Sequence, residues 1–171
     1  MYEINIFDNI NMQIDWYMVY WGIKNKILSL SVAQDYACKR VEIENSISEE
    51  ELELSWKSDD LVEILETIEK IPEFQCCNEE KLNRAKDKVR IAIIMYLRKT
   101  ELDIVALLEK IDMIYADFDY PIDMEKFISY MSIDDKDIQV KHSIDENRRY
   151  LLEKLDLFIK EQMQKFELNS I

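Results

Sequence analysis

The sequence predicts an all-α protein: a single domain, residues 1–171, folded as an irregular bundle of about six or seven helices. Only one glycine and two prolines occur, whereas hairpin turns and strand corners depend on glycine, asparagine or aspartate at special backbone angles. Hydrophobic residues make up 48% of the chain and charged residues 34%, which is enough apolar material for a buried core. Helix-capping residues recur at intervals of about one helix length. The length fits one domain.

The first third of the chain predicts two helices and then an ambiguous segment. Residues 14–27 carry apolar side chains at helical spacing, and Gly22 marks a position where this helix could break. Ser31 is expected to cap a second helix that continues to about residue 41. Residues 42–57 have the weakest pattern in the chain, so we expect a loop or a short helix there.

The middle of the chain predicts three helices with clearer signals. Ser58 is expected to cap an amphipathic helix that Pro72 ends. The longest middle helix is expected over residues 78–99, and Thr100 with Asp103 can cap the helix after it. The apolar stripe of that next helix is the most regular in the chain and consists of Ile104, Leu107, Leu108, Ile111, Tyr115 and Phe118.

The last part of the chain predicts a short helix and a long one. After Pro121, Asp123 is expected to cap a short helix that continues to about residue 131, with Phe127 and Tyr130 on its buried side. A polar link follows at 132–135, and Ser143 is expected to start the final helix.

The charge of the chain is strongly negative and unevenly distributed. The formal net charge is -14 and the sequence pI is near 4.5. Residues 42–73 hold 12 acidic and 2 basic groups, residues 78–100 hold 3 acidic and 7 basic groups, and residues 109–137 hold 9 acidic and 3 basic groups. A surface of this sign repels phosphate, so we expect no binding to nucleic acid or to a membrane, and we expect a basic protein partner. Whether 42–73 pairs with 78–100 is left open.

Targeting signals and disulfide patterns are not evident. The N-terminal segment MYEINIFDNI has neither the basic region nor the apolar region of a signal peptide, and the longest apolar run, residues 91–97, is too short for a membrane span. We therefore expect a cytoplasmic protein. Cys38, Cys76 and Cys77 are odd in number and lack zinc-binding spacing, so reduced thiols are expected.

No catalytic motif is found, and we expect neither a catalytic residue nor a cofactor or metal. One glycine leaves no material for a glycine-rich phosphate loop, and His142 has no metal-ligand spacing. The alternative is enzymatic: Glu63 with Glu66, and Glu109 with Asp112, stand three apart on helices and could hold Mg²⁺ as in helical nucleotide pyrophosphohydrolases.

Two aromatic and acidic stretches carry a resemblance. Residues 14–28, IDWYMVYWGIKNKIL, and residues 115–131, YADFDYPIDMEKFISYM, resemble a bacterial family of small acidic all-helical proteins of unassigned function. Relatives of that family are linked to immunity against polymorphic or contact-dependent toxins. The resemblance implies a protein that blocks a toxin domain, often a basic nuclease, by direct binding.

The leading hypothesis is therefore a non-enzymatic immunity protein that neutralises a cognate toxin through an acidic and aromatic surface. Two alternatives stay open: the aspartates of this stretch are ordinary cap and turn residues around a helix break, or the chain is a generic acidic helical adaptor. The oligomeric state is unknown. The residues expected to contact the partner are Tyr115, Asp117, Asp119, Tyr120, Asp123 and Glu125.

Overall fold

The computed structural model describes residues 1–43, 46–56, 59–131 and 143–166. These residues form eight α-helices and two 3-10 helices, and within these ranges the β-structure is limited to one isolated bridge between Tyr2 and Leu28. The all-α fold class is confirmed. The chain divides into two compact units, an N-terminal unit of residues 1–92 and a C-terminal unit of residues 93–171.

The helices of the N-terminal unit are mostly short. They are α1 (Asn5–Asn9), α2 (Trp16–Lys24), α3 (Ser31–Ile43), α4 (Glu49–Leu54), α5 (Leu61–Lys70), a 3-10 helix (Phe74–Cys76) and the first part of α6 (Glu79–Thr100). The number of helices exceeds the expected six or seven because α1 and α4 are shorter than two turns. Segments of that length show no helical period in the sequence.

Side-chain caps begin several of these helices. Asn78 lies before α6, and its side-chain oxygen accepts a hydrogen bond from the backbone N–H of Lys81 at 2.9 Å. The expected cap of α5, Ser58, lies outside the described residues. The cap that the structure shows is Asp60, whose carboxylate accepts from the backbone N–H of Val62 at 2.8 Å.

Gly22 does not break α2; it lies inside the helix and lets another side chain approach. A methyl group at this position would stand 2.4 Å from Cδ1 of Leu28, and Leu28 is only 1% exposed. The only glycine of the chain is therefore explained by packing rather than by backbone flexibility.

A buried carboxylate joins α4 to α2 and α3. Glu51 is 3% exposed, and its Oε1 accepts hydrogen bonds from the indole N–H of Trp16 and from Nε of Arg40, each at 2.9 Å. Its Oε2 accepts from the backbone N–H of Ser48 at 2.9 Å, which completes a capping box at the start of α4. The ring of Tyr36 packs edge-on against Trp16, with ring centroids 4.7 Å apart.

The environment of this cluster changes two pKa values. Burial disfavours the charged form of Glu51, but the hydrogen bonds from Ser48 and Trp16 and the charge of Arg40 outweigh it, so the pKa of Glu51 lies below its ordinary value. Burial also raises the pKa of Tyr36 to about 12. Glu51 is thus an anion, and Tyr36 a neutral phenol, at neutral pH.

The C-terminal unit is built around two longer helices. It contains the rest of α6, then α7 (Ile104–Asp117), a 3-10 helix (Ile122–Phe127) and α8 (Ile144–Lys165). The stripe expected for α7 forms its buried face, and Asp103 caps the helix by accepting from the backbone N–H of Val105 at 2.9 Å. Thr100 has another role: it ends α6, and its hydroxyl donates to the carbonyl oxygen of Tyr96.

The segment after α7 differs from the short helix that we expected. It is a 3-10 helix preceded by Pro121, and no side chain caps it, so Asp123 is not a cap. Phe127 is buried at 1% exposure as expected, but Tyr130 is 60% exposed and its expected burial was wrong. The helix ends at Phe127, and Ile128 takes the next buried position instead. The polar link at 132–135 lies outside the described residues, whereas Ser143 caps α8.

Replacing Glu51 by leucine is expected to lower the free energy of unfolding by about 2 to 4 kcal/mol. The substitution leaves the Trp16 indole N–H and the partly buried guanidinium of Arg40 without their acceptor. Urea denaturation at pH 7 measures the change. Glu53→Gln is the matched control on the same helix; Glu53 is exposed, so its effect should stay within about 0.5 kcal/mol.

A comparison of the wild type with Glu51→Leu at several pH values tests whether Glu51 is charged. A carboxylate whose pKa is lowered by folding stabilises the fold fully above its unfolded pKa, ordinarily 4.5, and loses that contribution as the pH falls through the folded value. The stability difference between the wild type and Glu51→Leu should therefore be constant near neutral pH and shrink below about pH 4.5. A difference that is the same at pH 7 and pH 3 would contradict a charged Glu51.

Candidate functional site

The candidate site is the turn that follows α7, which we call the acidic corner: Asp117, Asp119, Tyr120, Asp123 and Glu125. All five residues are exposed. Residues 111–125 contain five carboxylates and no lysine or arginine, so this stretch of the sequence is strongly acidic. Five of the six residues expected to contact a partner therefore lie at the surface.

The backbone of the corner closes α7 with a Schellman motif. The N–H of Tyr120 donates to the carbonyl oxygen of Tyr115 at 2.9 Å, and the N–H of Asp119 donates to that of Ala116 at 3.2 Å. Both Asp119 and Tyr120 have left-handed backbone angles, with φ of 63° and 56°. Glycine usually fills the first of these positions, and a residue with a side chain costs about 1 kcal/mol or more there. The turn is thus strained but held by its hydrogen bonds.

Tyr115 supports the corner from inside and is not itself a contact surface. It is 4% exposed, and its ring packs edge-on against Tyr120 at a centroid distance of 5.3 Å and lies 6.4 Å from the ring of Tyr130. Desolvation, aided by the negative charge of Glu125, raises the pKa of Tyr115. Its role is to hold two exposed tyrosines in place, and we leave it out of the proposed contact surface.

Asp112 ties the chain beyond the corner to α7. Its Oδ1 accepts from the backbone N–H of Ser129 at 3.0 Å, and its Oδ2 accepts from the hydroxyl of the same serine. Both oxygens of Asp112 are thus used to fix the end of the 3-10 segment. This occupies one member of the Glu109 and Asp112 pair considered for Mg²⁺. Within the described ranges no group of three or more metal-binding side chains occurs.

Exposed apolar side chains accompany the carboxylates, and sequence reasoning missed two of them. Tyr120, Ile122 and Tyr130 are 60%, 80% and 60% exposed. Ile122 and Tyr130 were not among the expected contacts. The signal that could have found Ile122 is its place directly after Pro121, where a new turn starts and no apolar stripe is established. Tyr130 lies beyond the end of the 3-10 helix, so helical periodicity does not predict whether its side chain is exposed.

Two basic residues of α6 form ion pairs with residues outside the acidic segment 42–73. Lys88 pairs with Asp15 at 3.0 Å, and Arg98 pairs with Asp156 at 2.7 Å. Within the acidic segment, Glu51 is neutralised by Arg40 of α3. These contacts show that part of the charge asymmetry is resolved by partners that are distant in sequence.

None of the described helices is long and apolar enough to cross a bilayer. His142 lies outside the described residues.

The fold and the site define a class: an all-α protein with an exposed acidic and aromatic corner on a buried tyrosine. Residues 4–163 match the model of a family described as an uncharacterized protein conserved in bacteria (DUF2247), and the chain belongs to this family. The match spans α1 to nearly the end of α8 and includes the acidic corner. A bacterial family of unassigned function is thereby confirmed. Comparisons with curated proteins and with solved structures found no match.

Asp112→Ala is expected to loosen the chain around Ser129 while leaving α7 folded. The backbone N–H of Ser129 loses a charge-assisted hydrogen bond of about 1.5 kcal/mol, so its amide should exchange with solvent roughly tenfold faster. Hydrogen exchange followed by NMR measures this rate. Asp117→Ala is the control. A carboxylate is unfavourable at the C-terminal end of a helix, so the loss of Asp117 should not destabilise α7, and the exchange rate of the Ser129 amide should not change. Equal rates in the wild type and in Asp112→Ala would show that Asp112 does not anchor the segment.

Proposed function

We propose that the protein is a non-enzymatic immunity protein that binds and neutralises a cognate bacterial toxin, a basic nuclease, through the acidic corner. The observation that supports this proposal is the combination of the four exposed carboxylates of the acidic corner with exposed Tyr120, Ile122 and Tyr130 on a buried support. The resemblance of residues 14–28 and 115–131 to immunity-linked relatives points the same way.

Electrostatics explains why such a surface suits a nuclease. A nuclease holds the phosphates of its substrate with lysine and arginine side chains, so its active-site surface is basic. A protein with a net charge of -14 is attracted to that surface over a long range, and this attraction raises the association rate. The carboxylates of the corner then take the places of phosphate groups and exclude the substrate.

Exposed tyrosines contribute binding free energy in addition to the electrostatic attraction. Interface hot spots are enriched in tyrosine because the ring buries a large area and has few rotatable bonds. Tyr120 is 60% exposed, yet one edge of its ring already rests on Tyr115. Its conformation is therefore partly fixed before binding, which reduces the entropy lost in the complex.

The hydrogen bonds of the corner add to this preorganisation. The Schellman motif fixes the backbone at Asp119 and Tyr120, and Asp112 fixes the chain at Ser129. Residues on both sides of the 3-10 helix are thus anchored to α7. This structural use of Asp112 is also why we prefer an inhibitor to the Mg²⁺-dependent pyrophosphohydrolase.

Neutralising the corner is expected to slow binding of the toxin. In the variant Asp117→Asn/Asp123→Asn/Glu125→Gln, loss of three charges should lower the association rate constant about tenfold at low salt and leave the dissociation rate nearly unchanged. The partner is the protein encoded next to this chain, purified as a catalytically inactive toxin, and biolayer interferometry at low and high salt measures both rates.

The matched control removes the same number of charges elsewhere, in Glu42→Gln/Glu66→Gln/Glu153→Gln, at three exposed positions. We expect this control to change the association rate less than the corner variant does. Equal effects of the two variants would support the generic acidic adaptor, and the absence of any salt-sensitive complex would refute the immunity function.

Tyr120→Ala is expected to weaken the toxin complex mainly through faster dissociation. Truncation of a tyrosine hot spot costs about 2 kcal/mol, which corresponds to a roughly 30-fold higher Kd. Val105→Ala is a control, since Val105 is an exposed apolar residue of α7 that lies outside the corner. A Kd of Tyr120→Ala within twofold of the wild type would remove Tyr120 from the interface.

A further inference from the structure

The outer face of α4 carries apolar side chains at positions that face water. Leu52 and Trp56 stand four residues apart and are 49% and 74% exposed. The backbone N–H of Trp56 donates to the carbonyl oxygen of Glu53 at 3.0 Å, so the helical turn continues to Trp56 and places it one turn beyond Leu52. Tryptophan is highly buried on average in folded proteins, and neighbouring exposed apolar side chains mark interaction sites.

Val41 of α3 extends this apolar surface to a second helix. The contacts between α3 and α4 join Cys38 to Ser55 and Arg40 to Glu51, so the two helices are antiparallel. Val41 stands three residues after Cys38, on the same face of α3, and is 37% exposed. It therefore lies alongside the middle of α4.

Carboxylates flank these three residues, which we call the apolar row: Val41, Leu52 and Trp56. Glu49 stands three residues before Leu52, and Glu53 stands three residues before Trp56, so both carboxylates share the outer face of α4 with the row. Both are exposed. Residues 42–73 as a whole hold 12 acidic and 2 basic groups. A partner that complements the row therefore combines apolar side chains with positive charge.

The cations of α3 are engaged with other carboxylates. This helix contains one lysine and one arginine. Nζ of Lys39 pairs with Asp8 at 2.6 Å, and the guanidinium of Arg40 pairs with the buried Glu51 at 2.9 Å. Neither pair involves Glu49 or Glu53, so the negative potential around the row can act on a partner.

Charge also decides between the possible occupants of the row. A second copy of the chain carries the same net charge of -14 and is repelled, and the phosphates of nucleic acid or of an anionic membrane are repelled as well. A cationic amphipathic helix combines the two required properties. Its apolar residues recur three and four positions apart, which matches the spacing of Leu52 and Trp56 on α4.

We propose that the apolar row docks a cationic amphipathic helix of a partner protein. The apolar stripe of that helix covers Leu52 and Trp56, and lysine or arginine residues beside the stripe pair with Glu49 and Glu53. The exposed indole is the main anchor, because tryptophan is enriched among interface hot spots. The proposal goes beyond the proposed function, since the row lies in the N-terminal unit and does not require the partner to be a toxin.

The test uses a synthetic peptide of leucine and lysine, about 15 residues long, in which the leucines recur at helical spacing. The anisotropy of a fluorescein label on the peptide measures its binding to the full chain, and we expect a micromolar Kd that rises with salt. Two comparison peptides should bind at least about tenfold more weakly. One carries glutamate in place of lysine, and the other has the same composition in an order without an apolar stripe. Equal binding of either comparison peptide would overturn the proposal.

Variants locate the peptide on the apolar row. Trp56→Ser should raise the Kd at least about tenfold, and Leu52→Ser about fivefold. Leu157→Ser is the matched control, because Leu157 is a leucine of α8 with 56% exposure, and its Kd should stay within about twofold of the wild type. An unchanged indole resonance of Trp16, which donates to Glu51, confirms that each variant is folded. Equal effects of Leu52→Ser and Leu157→Ser would contradict a site at the row.

A pair of double variants tests the charge complementarity. Glu49→Gln/Glu53→Gln should raise the Kd about fivefold at low salt and much less at high salt. The control Glu153→Gln/Glu161→Gln removes two charges at exposed positions of α8 and should have a smaller effect. Equal effects would show that only the net charge attracts the peptide, which would overturn the proposal. Dimerisation of the chain alone that is lost in Trp56→Ser, seen by analytical ultracentrifugation, would assign the row to a second copy instead.

The peptide experiments contain no toxin, so their outcome is separate from that of the toxin experiments. Peptide binding at the row without any toxin complex would support the row and refute the immunity function. A toxin complex without peptide binding at the row would support the immunity function and overturn the proposal for the row.

Discussion

The N-terminal unit depends on the Glu51 carboxylate, which is charged although it is buried. Three helices supply the hydrogen-bond donors that stabilise this charge. Its two oxygens take hydrogen bonds from Trp16 on α2, from Arg40 on α3 and from the backbone that starts α4. Removal of any one donor would leave the buried charge of Glu51 less well stabilised. The positions of the three helices therefore depend on one another. The acidic helix α4 is thereby fixed against the apolar core.

In the C-terminal unit, α7 ends without a glycine at the position where glycine is usual. Asp119 and Tyr120 accept left-handed backbone angles, and the cost is offset by two Schellman hydrogen bonds and by the contact of Tyr120 with Tyr115. The same contact keeps a tyrosine at the surface in one conformation. Backbone strain in an exposed, acidic and aromatic turn is of the kind found where a surface has a binding role. The strain and the proposed interface are therefore two aspects of one turn.

The sequence by itself determined the helical class, most of the helices and the acidic character of the corner, because glycine scarcity, caps such as Asn78 and Ser143, and the stripe of α7 are local properties. Only the tertiary structure decided which side chains are buried. In the sequence Glu51 differs from its acidic neighbours only by its capping-box spacing from Ser48, and its burial depends on Trp16 and Arg40, which are distant in sequence. Tyr130 points outward because the 3-10 helix ends before it. Burial is a relation between distant segments, so periodicity within one segment cannot specify it.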